Sequence, residues 1–360
     1  MNKHINTYKY FKNILIIFSL LLFFSCMEYG PRETEEFYFD GKGVFITNEG
    51  NFMYGNASLS YYVPDKHVVE NEIFVRANGI KLGDVAQSIV IRGDLAYIVV
   101  NNSSVIFVVN KYTFKLVGKI DGLTSPRYIH FINDEKAYVT DLYAMAITII
   151  NPKTFKKIGM INVNTNKNQH PTEQMVQYKN FVFTNCWSYD DKILVIDSNT
   201  DKVVDSIKVG IQPTSLVIDK HNKIWTITDG GYAGSPYGHK APGLYRIDAE
   251  TRKVDKEFIF KFGDWPSEVC INKSRDTIYF INRSIWKLSV DEDIFPKEPF
   301  IPNNNGDYFY GLAIDPETSE VYMANAIDYV QDGIVYRYSP QGNPLDSIRV
   351  GIIPGAFGFK

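Results

Sequence analysis

Apolar and polar positions alternate along most of this chain in short runs bounded by turn residues, as in "RYIHFI" (127–132) and "AITIIN" (146–151). Runs of this length and period predict β-strands rather than amphipathic helices. One kind of run recurs, an aromatic-led apolar strand that closes on Asn or Asp. It appears as "FITNE" (45–49), "YIVVN" (97–101), "AYVTD" (137–141), "FVFTN" (181–185), "WTITD" (225–229), "YFIN" (279–282) and "YMAN" (322–325). The closing residues are Asn48, Asn101, Asp141, Asn185, Asp229, Asn282 and Asn325. A spacing of roughly 40–50 residues with four strands per unit predicts a β-propeller.

The other strands follow in order. A second apolar strand such as "KILVID" (192–197) comes next and often closes in an Asx turn ended by Thr, as in Asn110 to Thr113 and Asp197 to Thr200. A third, more polar strand follows, and then often a Pro, where the next unit's innermost strand begins. Seven units fit between Gly43 and the C-terminus. The first, at "GVFITNEG", lacks its innermost strand, and "GAFGFK" after Pro354 is a strand without a unit. The predicted fold is therefore all-β: a seven-bladed propeller of four-stranded antiparallel blades, its ring closed by the C-terminal strand.

This topology sorts the connections into two faces. The innermost strand starts on one face, called the top, and the strand after it returns there. Turns such as "IRGD" (91–94) and Asn133–Lys136 then lie on the bottom and are short and polar, whereas the top connections are variable and aromatic. Function tends to sit in variable loops on a rigid scaffold. The candidate ligand-binding set is the seven strand-end Asn and Asp, together with Asn51, Arg127, Tyr143, Trp187, Tyr189, Tyr237, Trp265 and Tyr310. Trp225 is a further candidate for the rim, and Trp286 for packing between blades. Amides facing an aromatic-rimmed cavity suit a large, flat, partly apolar ligand with polar edges.

The N-terminus adds a location. Lys3, Lys9 and Lys12 precede an apolar run from Ile14 to Phe24, about half of the ~20 residues that a spanning helix needs. Residues 1–25 read as a signal peptide. Ser25-Cys26 ends it like the processing site of a bacterial lipoprotein, with Cys26 lipidated, although Phe23 and Phe24 depart from the usual pattern. Residues 26–42 then form a tether carrying Glu28, Glu33, Glu35 and Glu36, and 43–360 the propeller. The formal net charge is −3 with no clustered basic face, which argues against a nucleic-acid partner. A disulfide between Cys186 and Cys270 is open to an exported chain, but the apolar strand around Cys270 favours separate buried thiols.

The stretches "NEGN" (48–51), "LGDVAQS" (82–88), "SPRYI" (125–129), "YVTDLY" (138–143), "TEQMV" (172–176) and "LYRIDAET" (244–251) resemble the YncE-like seven-bladed surface lipoproteins of gut Gram-negative bacteria. Within them the resemblance is to the BtuG type. It implies capture of a corrinoid such as cobalamin on the top face and its transfer to a TonB-dependent outer-membrane transporter, from a lipid-anchored, surface-exposed position. It implies no enzyme and no cofactor. A ferric siderophore or haem-type ligand is the first alternative. A calcium-dependent lactonase-like hydrolase is the second, because Glu49, Glu173 and Glu268 with the axis Asn and Asp offer oxygen ligands. No nucleophile elbow or spaced Ser-His-Asp set supports hydrolysis otherwise. His170 and His239 map to top loops and read as surface residues.

Overall fold

The computed structural model of the protein describes residues 33–164 and 170–360. The signal-peptide and Cys26 expectations lie outside the described residues. Blade 1 holds β1 (Val44–Asn48), β2 (Ser58–Val63) and β3 (Val68–Glu70), followed by a short helix α1 (Ile73–Asn78). Blade 2 holds β4 (Ala86–Arg92), β5 (Leu95–Val100), β6 (Val105–Asn110) and β7 (Leu116–Ile120). Blade 3 holds β8 (Pro126–Phe131), β9 (Ala137–Asp141), β10 (Ala146–Asn151) and β11 (Lys156–Asn162). Blade 4 holds β12 (Thr172–Tyr178), β13 (Phe181–Cys186), β14 (Lys192–Asp197) and β15 (Lys202–Lys208). Blade 5 holds β16 (Pro213–Ile218), β17 (Lys223–Thr228), β18 (Gly243–Asp248) and β19 (Lys253–Ile259). Blade 6 holds β20 (Ser267–Ile271), β21 (Thr277–Asn282) and β22 (Ser284–Ser289). Blade 7 holds β23 (Phe309–Ile314), β24 (Val321–Asn325), β25 (Asp332–Tyr338) and β26 (Pro344–Ile352).

The last strand, β27 (Pro354–Phe359), is the innermost strand of blade 1. It pairs antiparallel with β1, Val44 facing Phe359 and Ile46 facing Phe357. The first and last strands therefore close the ring, as the unpaired "GAFGFK" predicts. Burial explains the strand pattern. β1, β9 and β24 are buried at every position because a neighbouring blade covers each face. The outer strand β19 alternates, with every second side chain exposed. Seven apolar clusters fill the seven interfaces between blades. Trp225, a rim candidate, belongs to this core: it is fully buried, and its Nε1 donates to Asp219 Oδ2 at 2.8 Å in a bottom turn.

Two regions depart from the repeat. Blade 6 has three strands. Its outer position is taken by the segment around Phe295 to Pro302, where Phe295 packs on Phe258, Phe280 and Trp286. Pro296, Pro299 and Pro302 lack the N–H donors that a strand ladder needs. The second is the tether. Its last part is docked: Glu35 N–H donates to Arg76 O, Arg76 forks onto the Glu35 carboxylate, and Phe37 and Phe39 pack on buried Phe114. Phe39 N–H donates to Tyr112 O, in the bottom turn after β6.

Candidate functional site

The top ends of the innermost strands share one irregularity. In each blade the pairing of the innermost strand with its neighbour slips there by one residue, between 86 and 88, 126 and 129, 172 and 175, 213 and 215, 267 and 270, 309 and 311, and 354 and 357. A β-bulge of this kind re-aims a side chain out of the ladder. The residues within the slips include Gln87, Arg127, Glu173, Thr214, Glu268, Tyr310 and Gly355, and all of them line a central cavity of about 1360 Å³. Glu49, the first residue after β1, joins them. Gly355 leaves it room: a Cβ there would lie 3.0 Å from Glu49 Oε1.

This polar tier is partly paired. Arg127 Nε donates to both carboxylate oxygens of Glu173, at 2.8 and 2.9 Å, and its Nη1 donates to Gln87 Oε1. The two side chains are 14% and 3% exposed, so the pair is shielded from solvent. Tyr310 Oη donates to Glu49 Oε2 at 2.9 Å. The Glu268 carboxylate sits in left-handed backbone, φ 53°, with no side-chain hydrogen bond among the described residues. Enclosure by the cavity walls, helped by the Glu173 charge and, for Glu268, by Glu49, pushes Glu49 and Glu268 up from 4.5 to about 7 against the opposing pull of the Arg127 charge. Burial likewise raises Glu173 and Tyr310. Three carboxylates thus face one guanidinium. The tier is rich in acceptors and short of donors.

Aromatic side chains stand above it. Trp187 lies beside Arg127, the guanidinium carbon 5.9 Å from the ring, and its Nε1 donates to Asp229 Oδ2 at 3.3 Å. Trp265 is 66% exposed at the mouth. Tyr308 and Tyr310 both make edge contacts to Tyr329, with centroids 5.8 and 5.9 Å apart. Below the tier the cavity wall turns aliphatic, with Val90, Val217, Ile271 and Ile314.

Of the residues singled out in the sequence, the cavity brings together Arg127, Trp187, Asp229, Trp265 and Tyr310. The other strand-end residues do not line it. Asn48 is fully buried and donates to Ser58 and Ser60 Oγ; Asn101 donates to Ser125 Oγ and Pro126 O; Asn185 donates to Pro213 O. Asp141 accepts from four backbone N–H groups, of residues 124, 125, 143 and 144. Asn282 bonds Asp264, and Asn325 bonds Asp307. These side chains tie the strand ends to neighbouring loops and blades. Tyr189 and Tyr237 pair with each other at 5.5 Å on the outer rim, beside Tyr232. Tyr143 is exposed, and Asn51 donates to Tyr329 O. His170 corrects the surface reading: it is buried, its Nδ1 2.6 Å from Asp190 Oδ2. His239 is exposed and packs at a tilt against Phe262, ring centroids 4.4 Å apart. Both cysteines are free thiols.

Sequence reasoning named Glu49, Glu173 and Glu268 only as possible calcium ligands and left out Gln87. For Gln87, Glu173 and Glu268 the signal available was their place as the second residue of an innermost strand, whereas Glu49 directly follows β1.

Residues 42–350 match the family described as "Domain of unknown function (DUF5074)". No curated protein matches the chain by sequence. A quinoprotein alcohol dehydrogenase-like protein from Bacteroides thetaiotaomicron has a similar structure, with TM-score 0.69 and 15% identity over 88% of this chain and 79% of that one. A streptogramin B lyase has TM-score 0.59 and 11% identity over 76% and 86%. The hydrazine synthase of Kuenenia stuttgartiensis has TM-score 0.55 and 13% identity over 75% and 88%. At these identities the likeness extends to the propeller fold alone.

Proposed function

The chain belongs to the DUF5074 family, and from that premise we propose that it is a surface lipoprotein that captures a corrinoid in the top-face cavity and passes it to a TonB-dependent outer-membrane transporter. The observation that carries this reading is the cavity's make-up: a wide mouth flanked by Trp187 and Trp265 above a tier of hydrogen-bond acceptors, with a volume of about 1360 Å³. That volume exceeds the ~300–1,000 Å³ usual for drug-sized ligands. A corrin macrocycle is broad, apolar on its faces and fringed with amides. Its faces match the aromatic rim, and its amide N–H groups match the donor-poor tier of Glu49, Glu173 and Glu268. Ferric siderophores that carry net negative charge match that tier poorly.

Lipidation at Cys26 supplies the anchor. Docking of Glu35 to Phe39 shortens the tether from the sequence reading, leaving the chain between Cys26 and Thr34 a reach of at most about 30 Å. The docked segment leaves the body at the bottom, so the cavity mouth opens on the face away from it. Titration of cyanocobalamin into the purified protein tests the reading, with ferrioxamine and haem as the competing ligands. Saturable cyanocobalamin binding at one site is the expected result; its absence with tight siderophore or haem binding replaces the ligand.

The convergence of three glutamates favours one other reading, a calcium-dependent hydrolase, since Ca²⁺ takes several carboxylate oxygens. Lactone turnover that needs calcium and disappears in Glu173→Gln and Glu268→Gln would establish it in place of capture.

A further inference from the structure

One cluster of metal-binding side chains stands behind the cavity wall. His170, Cys186 and Asp190 are 4%, 0% and 9% exposed, and one ligand atom from each lies within 4.8 Å of the other two. They reach that spot from three directions. His170 precedes β12, Cys186 ends β13, and Asp190 closes the turn after it, where its N–H donates to Trp187 O and Tyr189 takes a left-handed φ of 61°. We propose that His170, Cys186 and Asp190 bind one zinc ion, forming a clamp beside the ligand cavity.

The donor set suits zinc. An imidazole nitrogen, a thiolate and a carboxylate are its three common ligand types, and soft sulfur excludes calcium and magnesium. On binding, the Cys186 thiol proton leaves to the buffer and a Zn–S bond takes its place. The thiolate and the Asp190 carboxylate then supply two negative charges against the ion's two positive ones, with the imidazole neutral. The zinc-bound cluster is then electroneutral. Zinc bonds of about 2.0–2.3 Å set tetrahedral ligand atoms roughly 3.3–3.6 Å apart. The His170–Asp190 contact of 2.6 Å opens by less than about 1 Å to meet this, which side-chain rotation provides. The fourth position goes to water. Asp190 keeps an orienting bond as well, because its other oxygen accepts Asp191 N–H at 2.7 Å.

The site is placed to matter. Cys186 adjoins Trp187, and His170 stands three residues before Glu173; both neighbours line the cavity. A metal ion would fix the two against each other. Cys270 provides an internal contrast: it is also a free thiol, but its Sγ contacts a backbone carbonyl, Leu312 O, at 2.8 Å, and it belongs to no such cluster among the described residues.

Cobalt(II) is the probe. The full chain, stripped with chelator, is titrated with Co²⁺ and followed by absorption. The proposal expects one equivalent bound, with tetrahedral visible bands and a near-ultraviolet thiolate-to-cobalt band that zinc abolishes by displacement. Cys186→Ser should lose the thiolate band, Cys270→Ser should keep it, and His170→Gln should weaken affinity by at least about tenfold. Should Cys186→Ser fail to fold, His170→Gln and Cys270→Ser carry the comparison. No thiolate band in the wild type, or a band that Cys270→Ser removes, overturns the proposal. So does a wild-type affinity that His170→Gln leaves unchanged. The outcome does not depend on which molecule the cavity binds.

Discussion

Two rings of side chains crown this propeller within one strand of each other, and they do different work. The outer ring sits at the ends of the second strands: Asn48, Asn101, Asp141, Asn185, Asp229, Asn282 and Asn325. It is chemically uniform, and all but Asp229 face away from the cavity into bonds between strands, loops and blades. The inner ring sits in the bulges of the innermost strands: Gln87, Arg127, Glu173, Thr214, Glu268, Tyr310 and Gly355. It differs at nearly every blade and faces the cavity. In a repeat protein, sameness marks what every unit needs to close its own strand ends, and variation marks the surface freed for a ligand.

The comparison breaks most visibly at Arg127. Removing one partner of a buried ion pair costs about 3–5 kcal/mol, because the other charge is left unpaired. Arg127→Ala strands Glu173, which is 3% exposed, so urea unfolding should show a loss of that order together with loss of ligand binding. Next comes the aromatic rim. An anchor in a desolvated interface costs about 2–4 kcal/mol when truncated, roughly 30- to 1000-fold in affinity. Trp187→Ala should weaken binding by this much in calorimetry with a nearly unchanged melting temperature, and Trp265→Ala toward the lower end, since Trp265 is more exposed.

The outer ring should show the opposite profile. Asn48→Ala removes the buried donor to Ser58 and Ser60 Oγ, although Ser60 Oγ still donates to Asn71 Oδ1, and Asn185→Ala removes the side-chain donor to Pro213 O. Each should cost about 1–3 kcal/mol of stability and little affinity in the molecules that stay folded.

A smaller effect follows from pH. Glu49 and Glu268 have folded pKa values of about 7 against an ordinary 4.5. Between those values the folded state binds more protons than the unfolded state, so stability falls as pH rises from 4.5 to 7. The cost is on the order of 1 kcal/mol per group once water in the cavity is allowed for. Thermal melts should be highest near pH 5, and Glu268→Gln should raise the melt at pH 8 and flatten the slope. The smallest effect belongs to the bottom. Asp94→Ala and Asp134→Ala remove exposed partners of Lys111 and Arg92 and should change stability by less than about 0.5 kcal/mol and affinity not at all.

The strand order, the seven-fold repeat and the ring closure were legible because each rests on local pattern: aromatic-led runs, Asx turns, and a strand without a unit at the end of the chain. The inner ring was legible only in part. Arg127 and Tyr310 stand out as chemistry, but what aims Glu173 and Glu268 at the axis is a one-residue slip in pairing. That register belongs to two strands together, and one strand's alternation does not reveal it. The outer ring misled for the same reason: an Asn at a strand end reads alike whether it turns toward the axis or along the blade. His170 was unreadable because its burial depends on Asp190, twenty residues on, folding back over the end of β13. The missing fourth strand of blade 6 was foreshadowed by three prolines, and Trp225 by its place in mid-strand, close to a bottom turn.

The division of labour between the rings comes down to one paired titration. Cyanocobalamin is titrated calorimetrically into the wild type, Trp187→Ala and Asn325→Ala, with melting curves recorded on the same samples. The account predicts tight binding by the wild type, a loss of roughly 30-fold or more in Trp187→Ala at an unchanged melting temperature, and near-wild-type affinity in Asn325→Ala with a lowered melting temperature. Full affinity in Trp187→Ala beside a binding defect in stably folded Asn325→Ala would contradict it.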